Sequence, residues 1–534
     1  MMRSQQSRTA QSAHNRSAHS RRPAETGYVL ALSALLMIPL LAVVGFATDV
    51  GSWYAEGIRM QRAADAASLA GVVWLPDLPK ATDVALDTAR ENGFDSNDPE
   101  ISIVVESVGT QQLRVTISDD AADLYFSSLF LDNVLIERAA VAEYVLPVPL
   151  GSPKNYIGTA GMVGPPNGPE GFWMALNGFC APKEQGDPFA TRFSGNWPNT
   201  MICPSPLGPG PNSDPFTGDS YFEVNDDYLT MPQYEYIVEL PEARGQDTII
   251  SIYDAAKHDS ATASPDLGGN QPLTTTFTLR EPDNTPFDDS DNPIYGGCTS
   301  DGANPRTFPY GESDFDFSFF GSNRWTRFCT IPANAPAGRW ILQVHNQAME
   351  EDAFSVNNYS IFATKGTSGT VCDTRNDPQC PAVFGKNWMS IYAQANAPEA
   401  EFYLAEIEPE HAGKQMIITL FDPGEGGNYV EVRDPNGNSV PFTYQTRDGD
   451  YSGGPTTQLN VSGCVGWPQL GPGRQSRCRF NERYVEIAVD LPEDYETLYP
   501  DDHWWKIYYD FNADVTDRTT WSVRIVGDPV RLVN

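Results

Sequence analysis

The chain has no cysteine in its first 179 residues and only six histidines in all 534. No C-x-x-C and no H-E-x-x-H occurs, so the spacings that hold a structural or catalytic zinc are missing. No G-x-S-x-G marks a nucleophile elbow, and no glycine-rich loop leads into a helix as a phosphate cradle requires. The Gly-rich stretch Asp422–Asn428 lies between strand-like runs and reads as a hairpin turn. Positive charge is also scarce: 35 Lys and Arg stand against 70 Asp and Glu, for a net charge of −35. That balance excludes the basic footprint of a nucleic-acid binder. These absences leave no cofactor, metal or catalytic residue to name.

What is present begins with Gly27 to Ala47, GYVLALSALLMIPLLAVVGFA, an uncharged run of 21 residues. At ~1.5 Å per residue it matches the ~30 Å hydrocarbon core of a bilayer. The preceding 26 residues carry five arginines against Glu25, a net of +4, which leaves −39 for the remainder. By the positive-inside rule this basic tail (1–26) is expected in the cytoplasm and the bulk of the chain outside the membrane. A cleaved signal peptide is the competing reading, with Gly45-Phe46-Ala47 as its cleavage site, but signal cores run roughly 7 to 15 residues. The eight cysteines that follow, Cys180, Cys203, Cys298, Cys329, Cys372, Cys380, Cys464 and Cys478, form an even set, which fits disulfides in an exported chain.

Beyond the apolar run, Val50, Tyr54 and Ile58 recur every four residues, and Ala63, Ala64, Ala66, Ala67 and Ala70 favour helix, so residues 48–74 are expected to continue the span as one stiff helix. Pro39 falls mid-span, where a kink is expected. Residues 75–150 read as a small α+β domain. A helix over 81–93 is closed by Gly93, ISIVVES and QQLRVTIS alternate like strands, AADLYFSSLF reads as a short helix and NVLIERAAVAEYVLPV as a long strand.

The run from Val29 to Val72, with Asp49-Val50-Gly51, Tyr54, Gln61, Ala63-Ala64-Asp65-Ala66-Ala67 and Gly71, resembles the N-terminal segment of TadG-like proteins of the Tad (tight adherence, Flp pilus) assembly system. The stretch up to about residue 155 resembles that family's membrane-proximal module, ending in Gly151-Ser152-Pro153. The resemblance implies a membrane-anchored, non-enzymatic component with pilus or pilus-assembly proteins as partners. It also implies helix interaction through Asp49, Gly51, Tyr54, Gln61, Ala64, Asp65, Ala67 and Gly71, where the Ala and Gly residues admit another helix closely. Larger relatives carry a von Willebrand-type domain with an Asp-x-Ser-x-Ser metal site. Here Asp314-Phe-Asp316-Phe-Ser318 has the wrong third residue.

From residue 151 the composition turns to Pro, Gly, Asn, Asp and aromatics, which indicates mainly β structure. An internal repeat appears: residues 241–254 match residues 409–422 at six of 14 positions, offset by 168. In register, Trp173-Met174 answers Trp388-Met389, Arg280-Glu-Pro282 answers Arg433-Asp-Pro435, Cys298 and Cys329 answer Cys464 and Cys478, Trp340 falls near Trp505, and Tyr359-Ser-Ile361 answers Trp521-Ser-Val523. The Trp-Met pairs are 215 apart, so the first copy holds about 47 extra residues near Cys180–Cys203. Two tandem β-sandwiches are expected, residues 151–370 with the insertion and 371–534. Local disulfides are expected, Cys180–Cys203, Cys298–Cys329, Cys372–Cys380 and Cys464–Cys478, and the equivalent positions of Cys298/Cys329 and Cys464/Cys478 in the repeat support the pairing of those two.

Two candidate ligand features stand out. Asp288-Asp289-Ser-Asp291-Asn292 offers oxygen ligands for Ca²⁺ without a calcium loop's spacing, and a solvated loop is the plainer reading. Trp504 and Trp505 could stack on a sugar, or lie in the core as their repeat strand suggests. A surface adhesin or glycan binder acting independently of pili is therefore the alternative function, and an exported hydrolase a distant third.

The first testable expectation concerns processing. Cleavage after Gly27 would leave Leu32 fifth, where type IV pilins ordinarily have Glu. N-terminal sequencing of native protein should find no species beginning at Tyr28; finding one would overturn this reading.

Overall fold

The computed structural model describes residues 26–533, apart from segments 159–170, 178–185, 191–226, 228–232, 256–274, 309–324, 347–355 and 463–478 and breaks of one to three residues. Two compact units are present among the described residues: residues 26–72, 78–143 and 532–533 form one, and those of 73–77 and 144–531 the other.

In the first unit a single helix α1, Thr26–Val72, runs for 47 residues with Pro39 inside it. Its N-terminal part is long and apolar enough to cross a membrane. Helix α2, Leu78–Glu91, places Ala81, Ala85 and Ala89 on one buried stripe four residues apart. Gly93 ends it in the left-handed region at φ 97°, with the Gly93 and Phe94 N–H groups bonded back to Arg90 and Ala89. Strands β1 (Ile101–Gly109), β2 (Gln112–Asp119) and β3 (Ile136–Tyr144) pair antiparallel in that order, and Val530–Val533 is the sheet's fourth strand. On β2, Leu113, Val115 and Ile117 are fully buried. The expected helix over AADLYFSSLF is instead one 3₁₀ turn, Ser127–Leu129. The N–H groups that would start a longer helix are held from elsewhere, as shown below.

The second unit is built from a ten-stranded and an eleven-stranded sheet among the described residues. Copy 1 contributes Tyr234–Leu240, Thr248–Ala255, Thr275–Arg280, Thr326–Ile331, Gly338–Asn346 and Val356–Lys365. Copy 2 contributes Glu399–Glu406, Gln415–Phe421, Gly427–Arg433, Tyr484–Asp490, Trp504–Phe511 and Val515–Ile525. In both copies the fifth strand lies between the first and third, while the second lies between the fourth and sixth. The equivalences extend to single residues: Tyr359 stands opposite Met174, and Trp521 opposite Met389.

The repeat predicts two tandem sandwiches, but the sheets run through both copies. Gly171–Asn177 of copy 1 pairs antiparallel with Met389–Ala395 of copy 2, Met174 opposite Ile391. In the other sheet Leu150–Gly151, which precedes copy 1, pairs with Ala405 of copy 2. Ala382–Gly385, which precedes strand Met389–Ala395, pairs with Tyr236–Glu239 of copy 1. The two short strands also pair with each other. Each copy thus completes its sheet with a strand lying at the head of the other. One continuous core results, holding Trp340, Tyr359, Trp505 and Trp521 together.

Buried polar groups stitch the seam. Asn155 donates from Nδ2 to the carbonyls of Ala363 (2.7 Å) and Thr370 (3.1 Å) and accepts from the Cys372 N–H (2.9 Å). Lys154 pairs with Asp373 at 2.6 Å. Disulfides Cys298–Cys329 and Cys372–Cys380 are present, with Cα separations of 4.7 and 5.8 Å. Closing the 31-residue separation of the first is worth ~3–4 kcal/mol in the chain-entropy account. The pairs Cys180–Cys203 and Cys464–Cys478 lie outside the described residues, as do Asp314, Asp316 and Ser318.

One turn differs from expectation. Strands Gln415–Phe421 and Gly427–Arg433 belong to different sheets, so Asp422–Asn428 is an arch between sheets and no hairpin. Asp422 adopts φ 58° there and is buried, and its neighbour Gly424, at φ 76°, lies against Val461, where a Cβ would come within 2.6 Å. An arch needs this tight reversal because the chain must leave one sheet and enter the other across the core.

A carboxylate cluster makes the unit's stability pH-dependent. Burial, then the charges of Glu408, Glu239 and Asp502, push Glu406 up to about 8 from 4.5. A folded pKa above the unfolded value means that the folded state holds the proton longer, so stability falls as pH rises from 4.5 through about 8. Replacing Glu406→Gln should raise the Tm at about pH 9 and leave it nearly unchanged at about pH 4. Thermal unfolding followed by near-ultraviolet circular dichroism checks this; an equal shift at both pH values would contradict it.

Candidate functional site: the helix beyond the apolar run

At the end of the apolar run α1 changes environment on one face only. Gly45, Asp49, Gly57, Met60, Ala63, Ala64, Ala67, Ser68, Gly71 and Val72 are buried, a stripe at steps of three and four residues. α1 packs along α2 and β2 on this side. Glycine is required at two of these positions. A Cβ on Gly71 would lie 2.6 Å from Leu113 and 2.8 Å from the Ala81 carbonyl oxygen. On Gly45 it would meet the Phe126 ring at 2.8 Å.

Asp49 is fully buried, and its carboxylate accepts the backbone N–H groups of Tyr125 (3.3 Å), Phe126 (2.9 Å) and Ser127 (2.5 Å). These are the donors at the start of the Ser127–Leu129 turn, which have no partner within it. Further along, Gln61 donates from Nε2 to Asp65 Oδ1 at 2.8 Å and to the Ala139 carbonyl at 3.2 Å. Asp65, a charge among alanines, therefore has its partner on the same helix.

The eight residues expected to form one helix-interaction surface divide into two faces. Asp49, Ala64, Ala67 and Gly71 face inward onto the module, and Gln61 bonds to β3 and to half-buried Asp65 beside it. Gly51 and Tyr54 face outward: Tyr54 is 70% exposed, and a Cβ on Gly51 would meet nothing within 4 Å. Sequence reasoning missed Gly45, Gly57 and Phe126. The first two were visible as a four-residue step, Gly45, Asp49, Trp53, Gly57, Gln61. Phe126 carried no such signal.

The other candidates resolve differently. Trp505 is buried and donates its indole N–H to the Tyr495 hydroxyl (2.8 Å), and Trp504 is 3% exposed, so neither presents a face to a sugar. Asp289 pairs with Lys386, which also bonds Glu235. Asn292 donates to the Glu281 carbonyl, and Asp288 lies outside the described residues. No group of three or more His, Cys, Asp or Glu placed to hold a metal occurs among the described residues.

The packing makes a paired prediction. Gly71→Val should destabilise the first unit by ~1–3 kcal/mol or more through overpacking, whereas Gly51→Leu should leave its stability within about 0.5 kcal/mol. Denaturant unfolding of the two variants measures this, and equal effects would contradict the assignment of faces.

Among known proteins, residues 27–74 match the Tad family model, described as Flp pilus-assembly TadE/G-like. No curated protein and no solved structure matches the chain.

Proposed function

We propose that this protein is a single-pass, membrane-anchored, non-enzymatic component of a Tad/Flp-type pilus assembly system. In this reading its basic tail is cytoplasmic and its β-rich unit is displayed on the far side of the membrane. The observation that carries it is the coincidence of the 27–74 family match with one helix that is apolar over its first half and amphipathic over its second. A plain spacer would need only length. α1 instead keeps an uncovered stripe, Val50, Gly51, Tyr54 and Ile58, on the face opposite its own module. A glycine beside an exposed tyrosine lets a second helix approach closely, and we assign that face to a helix of the pilus machinery. Ala64 and Ala67 are buried against the chain's own module, which supports assigning the role to the outward residues.

The test uses the outward residues, whose replacement leaves the fold intact. Gly51→Leu and Tyr54→Ala should lower co-purification with pilus components by about tenfold, corresponding to ~1.4 kcal/mol, and reduce surface piliation. Export and protease resistance of residues 151–534 should be unchanged. Full co-purification and piliation in both variants would reject this role for the helix.

A further inference from the structure

We propose that the segment Tyr125–Leu135 is a second membrane contact, an apolar loop seated in the interfacial layer of the bilayer that α1 crosses. Its occupant is lipid, and the inference rests on the membrane-spanning reading above.

Height comes first. Phe126 lies against Gly45, which is inside the 27–47 apolar run, two residues or ~3 Å short of its end. Asp49 fixes the loop there by accepting three consecutive backbone N–H groups, those of residues 125 to 127. The loop is thus held at the depth where the span leaves the hydrocarbon.

Surface chemistry comes second. Tyr125 is 61% exposed, Phe126 54%, Leu131 39% and Leu135 59%, four large apolar side chains within eleven residues on one small module. Water would not favour that arrangement. The local sequence Leu124–Leu131, LYFSSLFL, has no charge and is bounded by Asp123 and Asp132. On α1 the neighbouring Phe46 is likewise exposed and stands edge-on to Trp53 at 6.2 Å. Aromatic side chains gathered where a span meets its module are what the bilayer interface selects, because their rings suit the headgroup boundary.

Backbone accounting comes third. Loop backbone entering the membrane boundary loses water as a hydrogen-bond partner, so its N–H groups need acceptors from the protein. Asp49 supplies them for all three residues at the loop's leading edge. These features favour lipid over a protein partner, since the exposed loop continues the lipid-facing surface of α1, where Leu35, Leu36, Met37, Ile38, Leu40 and Leu41 are all exposed.

The experiment places a nitroxide on the full chain in phosphatidylcholine/phosphatidylglycerol nanodiscs, through a keto amino acid substituted for exposed Ser128, so that native cysteines stay untouched. Relaxation by oxygen and by a polar nickel complex reports depth. Two controls bracket it: the same label in place of Leu36, within the span, and of Ser96. Ser96 lies two residues from Phe94, over which Arg59 stands, ~21 Å further along α1 from Gly45. The oxygen-to-nickel ratio at 128 should exceed that at 96 by about tenfold, as partition of an apolar and a polar solute at a hydrocarbon edge requires. A ratio within about twofold of position 96 would place the loop in water and overturn the proposal. Shielding from both relaxants would overturn it in favour of a protein occupant. A watery signal at 36 would instead show that the spanning reading has failed, and the inference falls with it. As a second measurement that does not depend on the label, Tyr125→Ser with Leu131→Ser should leave the unfolding midpoint in detergent unchanged and lower the fraction of the module protected from protease by membranes several-fold; unchanged protection would contradict the proposal.

Discussion

A continuous helix fixes the height and facing of whatever is packed on it, and α1 is continuous from Thr26 to Val72. Each residue advances ~1.5 Å and turns ~100°, so once Gly45, Asp49, Gly57 and Gly71 face the module, Gly51 and Tyr54 must face away. The apolar run and the module cannot rotate independently. The same rigid register sets both where the Phe126 loop meets the helix and the direction of the uncovered stripe.

The second half of the family-matched segment, residues 48–72, packs one face on its own module. Ala63, Ala64, Ala67 and Gly71 are small because α2 and β2 lie close to the helix axis, and Asp49 and Gln61 supply the side-chain acceptor and donor for the backbone of residues 125–127 and 139. Changing such residues would strand buried polar groups or open cavities. Beyond the apolar run, Val50, Gly51, Tyr54 and Ile58 lie on the outward face, which is why the proposed association is assigned to Gly51 and Tyr54.

The β-rich unit applies a different economy. Two copies of one strand pattern share a core because each lends a short strand, Leu150–Gly151 or Ala382–Gly385, to the sheet of the other. Exchange of equivalent strands ties the copies with main-chain hydrogen bonds, and Asn155 closes the seam with a fully bonded buried amide. Identical strand order in both copies, with Tyr359 and Trp521 facing equivalent methionines, makes the duplication visible in three dimensions as well as in residue order.

The amino-acid sequence by itself determined what local periodicity and duplication can express. The apolar run, the alanine-rich helix, the strands of residues 101–144 and the repeat between residues 241–254 and 409–422 all depend on spacing within short windows, which the chain carries directly. Tertiary structure alone decided matters that turn on residues far apart. That Asp49 would meet Phe126 and Ser127, that Gly45 would touch an aromatic ring, that Asp422–Asn428 would bridge two sheets and that residues 150 and 405 would pair all follow from contacts 77 to 255 residues apart or from the choice of sheet. A periodic pattern tells which face of a helix or strand is apolar. It does not say which distant segment will cover that face, because that depends on the shapes and hydrogen-bonding demands of both partners at once.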